Sequence, residues 1–273
     1  MFEIWLNIFF RENLGKRELT MKKSINDIKI EFQRATKEEG RRLCELYAED
    51  SRAGVQKLIK QWYVGEEKLQ KEKERVQLLW EYERKYSEYQ AICGIDEVGR
   101  GPLAGPVVAG AVILPKNCEI LYINDSKKLS EKQREALYDE IQDKAISIGI
   151  GIVEPEMIDE INILQATYEA MRKAISNLSV TPDLLLNDAV TIPNVSIKQV
   201  PIIKGDAKSI SIGAASIIAK VTRDRMMKEY SKQYKEYGFE SNKGYGSKDH
   251  IEALKKYGAC EIHRKSFIKG ILE

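Results

Sequence analysis

The sequence predicts an α/β domain built on a mixed β-sheet, preceded by a helical N-terminal extension. Two shifts of pattern carry this reading. Residues 57–89 are dense in Glu, Lys and Arg, hold one glycine, and space Leu58, Trp62, Leu69, Val76, Leu79 and Tyr82 near helical intervals. After residue 90 the period changes to strand-like runs and then to alternating helix and strand.

The elements follow in order. Residues 91–95 and 107–114 are continuous apolar runs joined by a Gly/Pro-rich loop, and residues 145–153 alternate Ile with Ser or Gly, so three strands are expected. Residues 157–178 place Ile158, Ile161, Ile163, Leu164, Tyr168, Met171 and Ile175 on helical spacing. Residues 184–186 and 195–203 return to strand character, and 209–237 form a long helical segment with Gly213 as its weak point. The expected divisions are an extension over 21–90 and a catalytic domain over 91–273 with a basic helical C-terminal part. Met21 resembles a usual start for proteins with such an extension, so residues 1–20 are read as coming from an upstream start codon.

Composition sets bounds. With 273 residues, 43% of them hydrophobic, the chain can bury a core domain of about 180 residues and carry an appendage. Net charge is +2, so any nucleic-acid surface must be local. Residues 219–273 carry 13 basic against 8 acidic residues, interleaved with Tyr230, Tyr234, Tyr237, Tyr245 and Tyr257; that excess alone reads as a solvated helical face. Four scattered cysteines and two histidines indicate neither a zinc site nor a disulfide framework. The apolar start, residues 2–10, is too short to span a bilayer and lacks a basic lead, so a cytoplasmic protein without membrane attachment is expected.

The most informative stretch is Cys93-Gly94-Ile95-Asp96-Glu97-Val98-Gly99-Arg100-Gly101-Pro102-Leu103-Ala104-Gly105-Pro106. Strand alternation would point Asp96 and Glu97 to opposite faces, so both serve one site only if the strand ends or bends there; Gly99 and Gly101 permit that. Adjacent acids at a strand end suggest a hard metal. Asp188, beyond Leu184-Leu185-Leu186-Asn187, reads by itself as a turn residue, and Asp206, at a helix start, as a cap.

The pattern Gly-x-Asp-Glu-x-Gly-Arg-Gly-Pro-x-x-Gly-Pro resembles the signature of ribonuclease HII, the type II ribonucleases H. Further likenesses follow in that family's order: Asp125-Ser126-Lys127-Lys128-Leu129-Ser130, Asp188, Lys204-Gly205-Asp206-Ala207-Lys208-Ser209, residues 214–224, Gly244-Tyr245-Gly246 and His263-Arg264-x-Ser266-Phe267. The resemblance implies a ribonuclease H-like fold and makes Asp96, Glu97, Asp188 and Asp206 the catalytic, metal-binding carboxylates. Such a cluster needs a cation, since like charges about 4 Å apart repel by about 4 kcal/mol at an effective dielectric near 20. Oxygen-only ligands select Mg2+ or Mn2+, and two such ions can orient the attacking water and steady the leaving 3′ oxygen.

Selectivity for RNA must come from the 2′-hydroxyl. The resemblance implies that the Gly99-Arg100-Gly101 loop contacts it through backbone groups and that Tyr245 stacks on the following deoxyribose. Ser126, Lys127, Lys208, Ser209 and Arg264 are implied phosphate contacts; Asp224 reads as a structural helix partner of a neighbouring Arg. The expected protein is a monomeric endonuclease that cuts RNA–DNA hybrids and nicks 5′ of ribonucleotides embedded in duplex DNA, leaving 3′-hydroxyl and 5′-phosphate ends, in ribonucleotide repair and primer removal. Rivals are the sister ribonuclease HIII, against which Arg100 argues, a silent hybrid-binding module, and a helical docking element over 21–90 with an unnamed partner.

Overall fold

The computed structural model describes residues 23–272. The proposed upstream segment, residues 1–20, and its apolar first ten residues lie outside them. The chain divides between Lys73 and Glu74 into two compact units.

The first unit is helical. α1 (Ile25–Arg34) and α2 (Lys37–Leu46) each begin with a capping box, Ser24 with Asp27 and Thr36 with Glu39, which satisfies the first free amides at both ends of the exchange. α3 (Ala53–Leu78) begins in this unit. A small core gathers Ile28, Tyr47 and Val55, with Phe32, Leu43, Leu58 and Ile59 against it. The Tyr47 hydroxyl donates to Glu31 at 2.9 Å.

The second unit begins within α3, at Glu74. Val76, Leu79 and Trp80 pack among the residues of a core that also holds Ile120, Ile123, Ile141 and Ile217. The short α4 (Glu81–Lys85) buries Glu83, whose carboxylate accepts from the Ser209 hydroxyl at 2.6 Å and the Ser211 amide at 3.1 Å.

The sheet has five strands in the order β3-β2-β1-β4-β5. β1 (Ile92–Val98), β2 (Val107–Ile113) and β3 (Ser147–Val153) run antiparallel; β4 (Leu184–Asp188) and β5 (Lys198–Ile202) continue parallel to β1. The expected α/β class and mixed sheet are what is found. One face carries α5 (Glu131–Lys144) and α7 (Ile210–Gln233); the other carries α6 (Pro155–Ser176) over Cys93, Ile95, Ala109 and Ala111. α6 is not the single regular helix its spacing suggested. Asn162 stands at φ 66°, ψ 164°, and its side chain accepts the Leu164 amide at 3.0 Å, restarting the helix.

α7 lies very close to β1. A Cβ on Gly94 would fall 2.0 Å from the Ser211 carbonyl carbon, so glycine is what lets the helix rest on the strand. Three short helices complete the unit: α8 (Phe239–Asn242), α9 (Lys248–Tyr257) and α10 (Lys265–Leu272). No helix among the described residues is long and apolar enough to cross a membrane.

Candidate active site

β1 does not end at its acids. It runs through Asp96 and Glu97 to Val98, with Asp96 opposite Gly110 and Glu97 opposite Ala109 on β2. The turn comes at Gly99, whose φ of 92° suits glycine and whose missing Cβ leaves room for the Arg223 side chain. The two carboxylates therefore do leave opposite faces, yet both line one cavity of about 500 Å³ with Val98, Ser126, Lys127, Arg134, Ser216, Lys220 and Tyr245. What reconciles these facts is the pairing of β1 with β4, which stops at Ile95 and Asn187. Beyond that rung the strand has no partner on its β4 side, and the end of the sheet is open there. The carboxyl ends of adjacent parallel strands are the usual seat of sites in such sheets.

Asp96 is 7% exposed and lies beside Ser216 of α7 in the cavity wall. Burial first, then the charges of Glu97 and Asp188, push its carboxyl well above the usual range; Ser216 opposes them. Glu97 is raised by burial and Asp188, against the pull of Arg100, whose guanidinium stands 3.4 Å away. Asp188 ends β4 and takes the Gly205 amide on Oδ1 at 2.7 Å, so its expected turn-type bond is present, made to the loop that carries Asp206. Asp206 lies in a 3₁₀ turn (Gly205–Ala207); burial, Asp125 and Asp188 raise it while Lys127 lowers it.

The four acids thus form a chain of mutual repulsion: Asp96 with Glu97 and Asp188, and Asp188 with Asp206. Among the described residues, no group of three or more His, Cys, Asp or Glu side chains is drawn together as an ion cage. The donor set still fits a hard divalent cation. It is all oxygen, its members repel one another, and Asp96 and Glu97 are driven toward protonation when nothing neutralises them.

The remaining site residues divide sharply. Arg100 and Gly101 are exposed beside the turn, Lys127 and Ser126 line the cavity, Lys208 is exposed, and Tyr245 is 43% exposed at the rim. Ser209 and Arg264 are not phosphate contacts. Ser209 is fully buried, capping α7 through the Ile212 amide and donating to Glu83. Arg264 is 0% exposed, and its guanidinium donates to the carbonyls of Gly99, Arg100 (2.9 Å) and Gly105 (2.8 and 3.0 Å). A cationic side chain next to a motif reads as a phosphate ligand in sequence; only the fold shows that it points inward. Asp224 is structural, as expected, but bonds Lys220 (2.7 Å) and faces Arg134 (3.7 Å), not its neighbour Arg223.

The cavity also brings in Arg134, Ser216 and Lys220, none of which sequence reasoning assigned to the site. Ser216 and Lys220 sit inside the 214–224 motif, which was the available signal. Arg134 had none; it reaches back to the carbonyls of Ser126 (3.1 Å) and Leu129, holding the Ser126 turn.

Comparison with known proteins places the chain in a family. A family model described as ribonuclease HII matches residues 93–270, and one for the ribonuclease HII N-terminal domain matches residues 24–87. Ribonuclease HII of Lachnoclostridium phytofermentans is 68% identical over 225 residues, covering 82% of this chain and 89% of that protein. That of Bacillus mycoides is 55% identical over 256 residues, 92% and 99% of the two chains. Among solved structures, the ribonuclease H2 of Pyrococcus horikoshii superposes with a TM-score of 0.57 at 32% identity, over 67% of this chain and 97% of that one. Identity of this extent, across both the sheet domain and the helical extension, leaves one conclusion: the chain belongs to the ribonuclease HII family and is a ribonuclease H, an endonuclease of RNA–DNA hybrids.

Proposed function

We propose that this protein, acting as a monomer, cuts the RNA strand of hybrids and also nicks on the 5′ side of single ribonucleotides embedded in duplex DNA. Both reactions leave 3′-hydroxyl and 5′-phosphate ends and serve ribonucleotide repair and primer removal. The observation that carries the reading is the shared cavity: Asp96 and Glu97 open into the same space as Lys127, Lys220 and the half-exposed Tyr245. Acids for a cation, bases for a phosphate backbone and an aromatic for a sugar then lie around one opening.

In this reading Asp96, Glu97 and Asp188, with Asp206 beyond them, hold Mg2+ or Mn2+. A divalent ion bound there would supply Lewis acidity and an acidified water at neutral pH. The chain's own residues do the rest. The exposed backbone of Arg100 and Gly101 approaches the ribose 2′-hydroxyl, which is the group that separates RNA from DNA. Tyr245 packs on the next deoxyribose, while Lys127 and Lys208 fix the register of the phosphates without reading bases. Ser126 is held by Ser216 (3.0 Å between hydroxyls), which keeps the Lys127 turn against the acids.

The test is incubation with a DNA duplex carrying one ribonucleotide, in Mg2+, Mn2+ or chelator, beside Asp96→Asn. Ion-dependent nicking 5′ of the ribonucleotide, lost in the variant, is the expected result. Cleavage of long hybrids alone would overturn the single-ribonucleotide reading.

A further inference from the structure

The two loops expected to read the sugar strand, Gly99–Gly101 and Gly244–Gly246, are far apart in sequence but adjacent in space. Leu103 N–H donates to the Gly244 carbonyl at 2.8 Å, Arg264 N–H to the Leu103 carbonyl at 2.8 Å, and Gly105 N–H to the Ile262 carbonyl at 2.8 Å. Ala104 and His263 form an isolated antiparallel bridge. The segment around His263 is thus laced to the first loop by backbone, and the Arg264 guanidinium grips the same loop through three carbonyls.

His263 reaches the other way. Its ring lies with that of His250 in an aromatic box of Tyr237 and Phe239, and both imidazoles are buried. Their protons can be placed by elimination. The Cys260 amide donates to His263 Nδ1 at 3.0 Å, so that nitrogen carries a lone pair and Nε2 carries the hydrogen. His250 Nδ1 is 2.8 Å from the Tyr245 carbonyl, which only accepts, so Nδ1 carries the hydrogen and Nε2 is the acceptor. The 3.0 Å contact between the two Nε2 atoms is therefore His263 donating to His250. The result is one directed chain, from the Cys260 amide through both rings to the Tyr245 carbonyl, and it requires both rings neutral. Burial lowers His250, and burial with its neighbour's charge pushes His263 down to about 4, which keeps them so.

We propose that His263 and Arg264 form a two-armed clasp that fixes the distance between the 2′-hydroxyl-reading loop and Tyr245, making His250, His263 and Arg264 positioning residues for ribonucleotide recognition. A pair chosen only to fill the box could be apolar. This pair spends its polar atoms on the backbone of the tyrosine loop, while the next residue spends its own on the glycine loop. An offset of about 1 Å at such a site is enough to cost about 100-fold in turnover efficiency. The clasp rests on the reading that Tyr245 contacts the substrate sugar.

The test uses the full chain and a ribonucleotide-containing duplex. His250→Phe keeps the ring and removes the donor; the expected result is a KM raised about 10-fold with kcat within about 2-fold. His250→Asn places an amide N–H where Nδ1 stood and should restore KM to within about 3-fold of the native value. In a Tyr245→Ala background, His250→Phe should add nothing further, because it acts through the tyrosine. An unchanged KM in folded His250→Phe, or an effect fully additive with Tyr245→Ala, overturns the clasp. If Tyr245→Ala itself leaves KM unchanged, the sugar contact fails, and the clasp's role in recognition fails with it. Should His250→Phe not fold, ¹⁵N NMR of the native chain decides. It has only two histidines, and the clasp requires the Nδ1–H tautomer for one and the Nε2–H tautomer for the other at pH 7. Matching tautomers, or a charged ring, would refute it.

Discussion

Asp96 and Asp188 each stand one residue beyond the last paired rung of β1 and β4, Ile95 opposite Asn187. Two carboxylates are thereby brought to the open end of neighbouring parallel strands, where the charge of Asp188 adds to the cost of ionising Asp96 unless a cation intervenes. Burial is the larger part of that cost for Asp96, which is buried against α7.

Asp96→Asn should consequently separate stability from activity. Removing one charge from a mutually repelling set is expected to stabilise the protein in chelator by about 1–2 kcal/mol, read as a higher thermal midpoint. Turnover should fall by about 100-fold or more in Mg2+ or Mn2+. A variant destabilised in chelator would show that the carboxylate serves the fold rather than the site.

Arg264→Ala should lower stability by about 3 kcal/mol or more in chemical denaturation. It strips donors from the carbonyls of Gly99, Arg100 and Gly105 in a site closed to water. Arg264→Lys should rescue little, since a single ammonium cannot span the fork that guanidinium fills. Near-native stability in both would mean that the loop holds its own shape.

Lys127→Ala should weaken hybrid binding uniformly across sequences and reduce the dependence of log K on log salt by about one unit. Lys127 is exposed, lines the cavity, and sits in a turn held by Asp125 through the Lys127 amide at 3.0 Å. Filter binding over a salt series in chelator measures this slope, and an unaltered slope would remove Lys127 from the phosphate contacts.

The contribution of His263 to stability should fall as pH drops from about 6.5 toward 4. An unfolded histidine takes up its proton near 6.5, whereas folded His263 resists until about 4, so the unfolded chain binds more protons across that window. Asp96 and Glu97 act oppositely, since their raised values make the folded state bind more protons than the unfolded one. Comparing native protein with His263→Gln at each pH cancels the acids. The difference in stability between the two should shrink on acidification, and a constant difference would show that His263 does not resist protonation.

Strand periodicity, the helical extension and the adjacent acids Asp96 and Glu97 were open to reading in the chain itself. Apolar runs must be buried, and a pair of acids beside glycines has few structural uses. Local pattern settled which segments form β1, β2 and β3 and singled out Asp96 and Glu97, whereas Asp188 and Asp206, a turn residue and a cap by pattern alone, were assigned to the site by resemblance to the family. Three matters were decided only by tertiary packing. Asp96 and Glu97 leave opposite faces yet meet one cavity because β4 stops pairing at Asn187, and no property of residues 93–98 records where another strand ends. Ser209 and Arg264 look like phosphate ligands but turn inward, because direction depends on which backbone carbonyls and carboxylates the fold leaves beside them. The same holds for His250 and His263, isolated polar residues in sequence and a single directed hydrogen-bond chain once α9 and the segment before α10 lie together. Side-chain type is local, whereas the partner that gives it a role arrives from elsewhere in the chain.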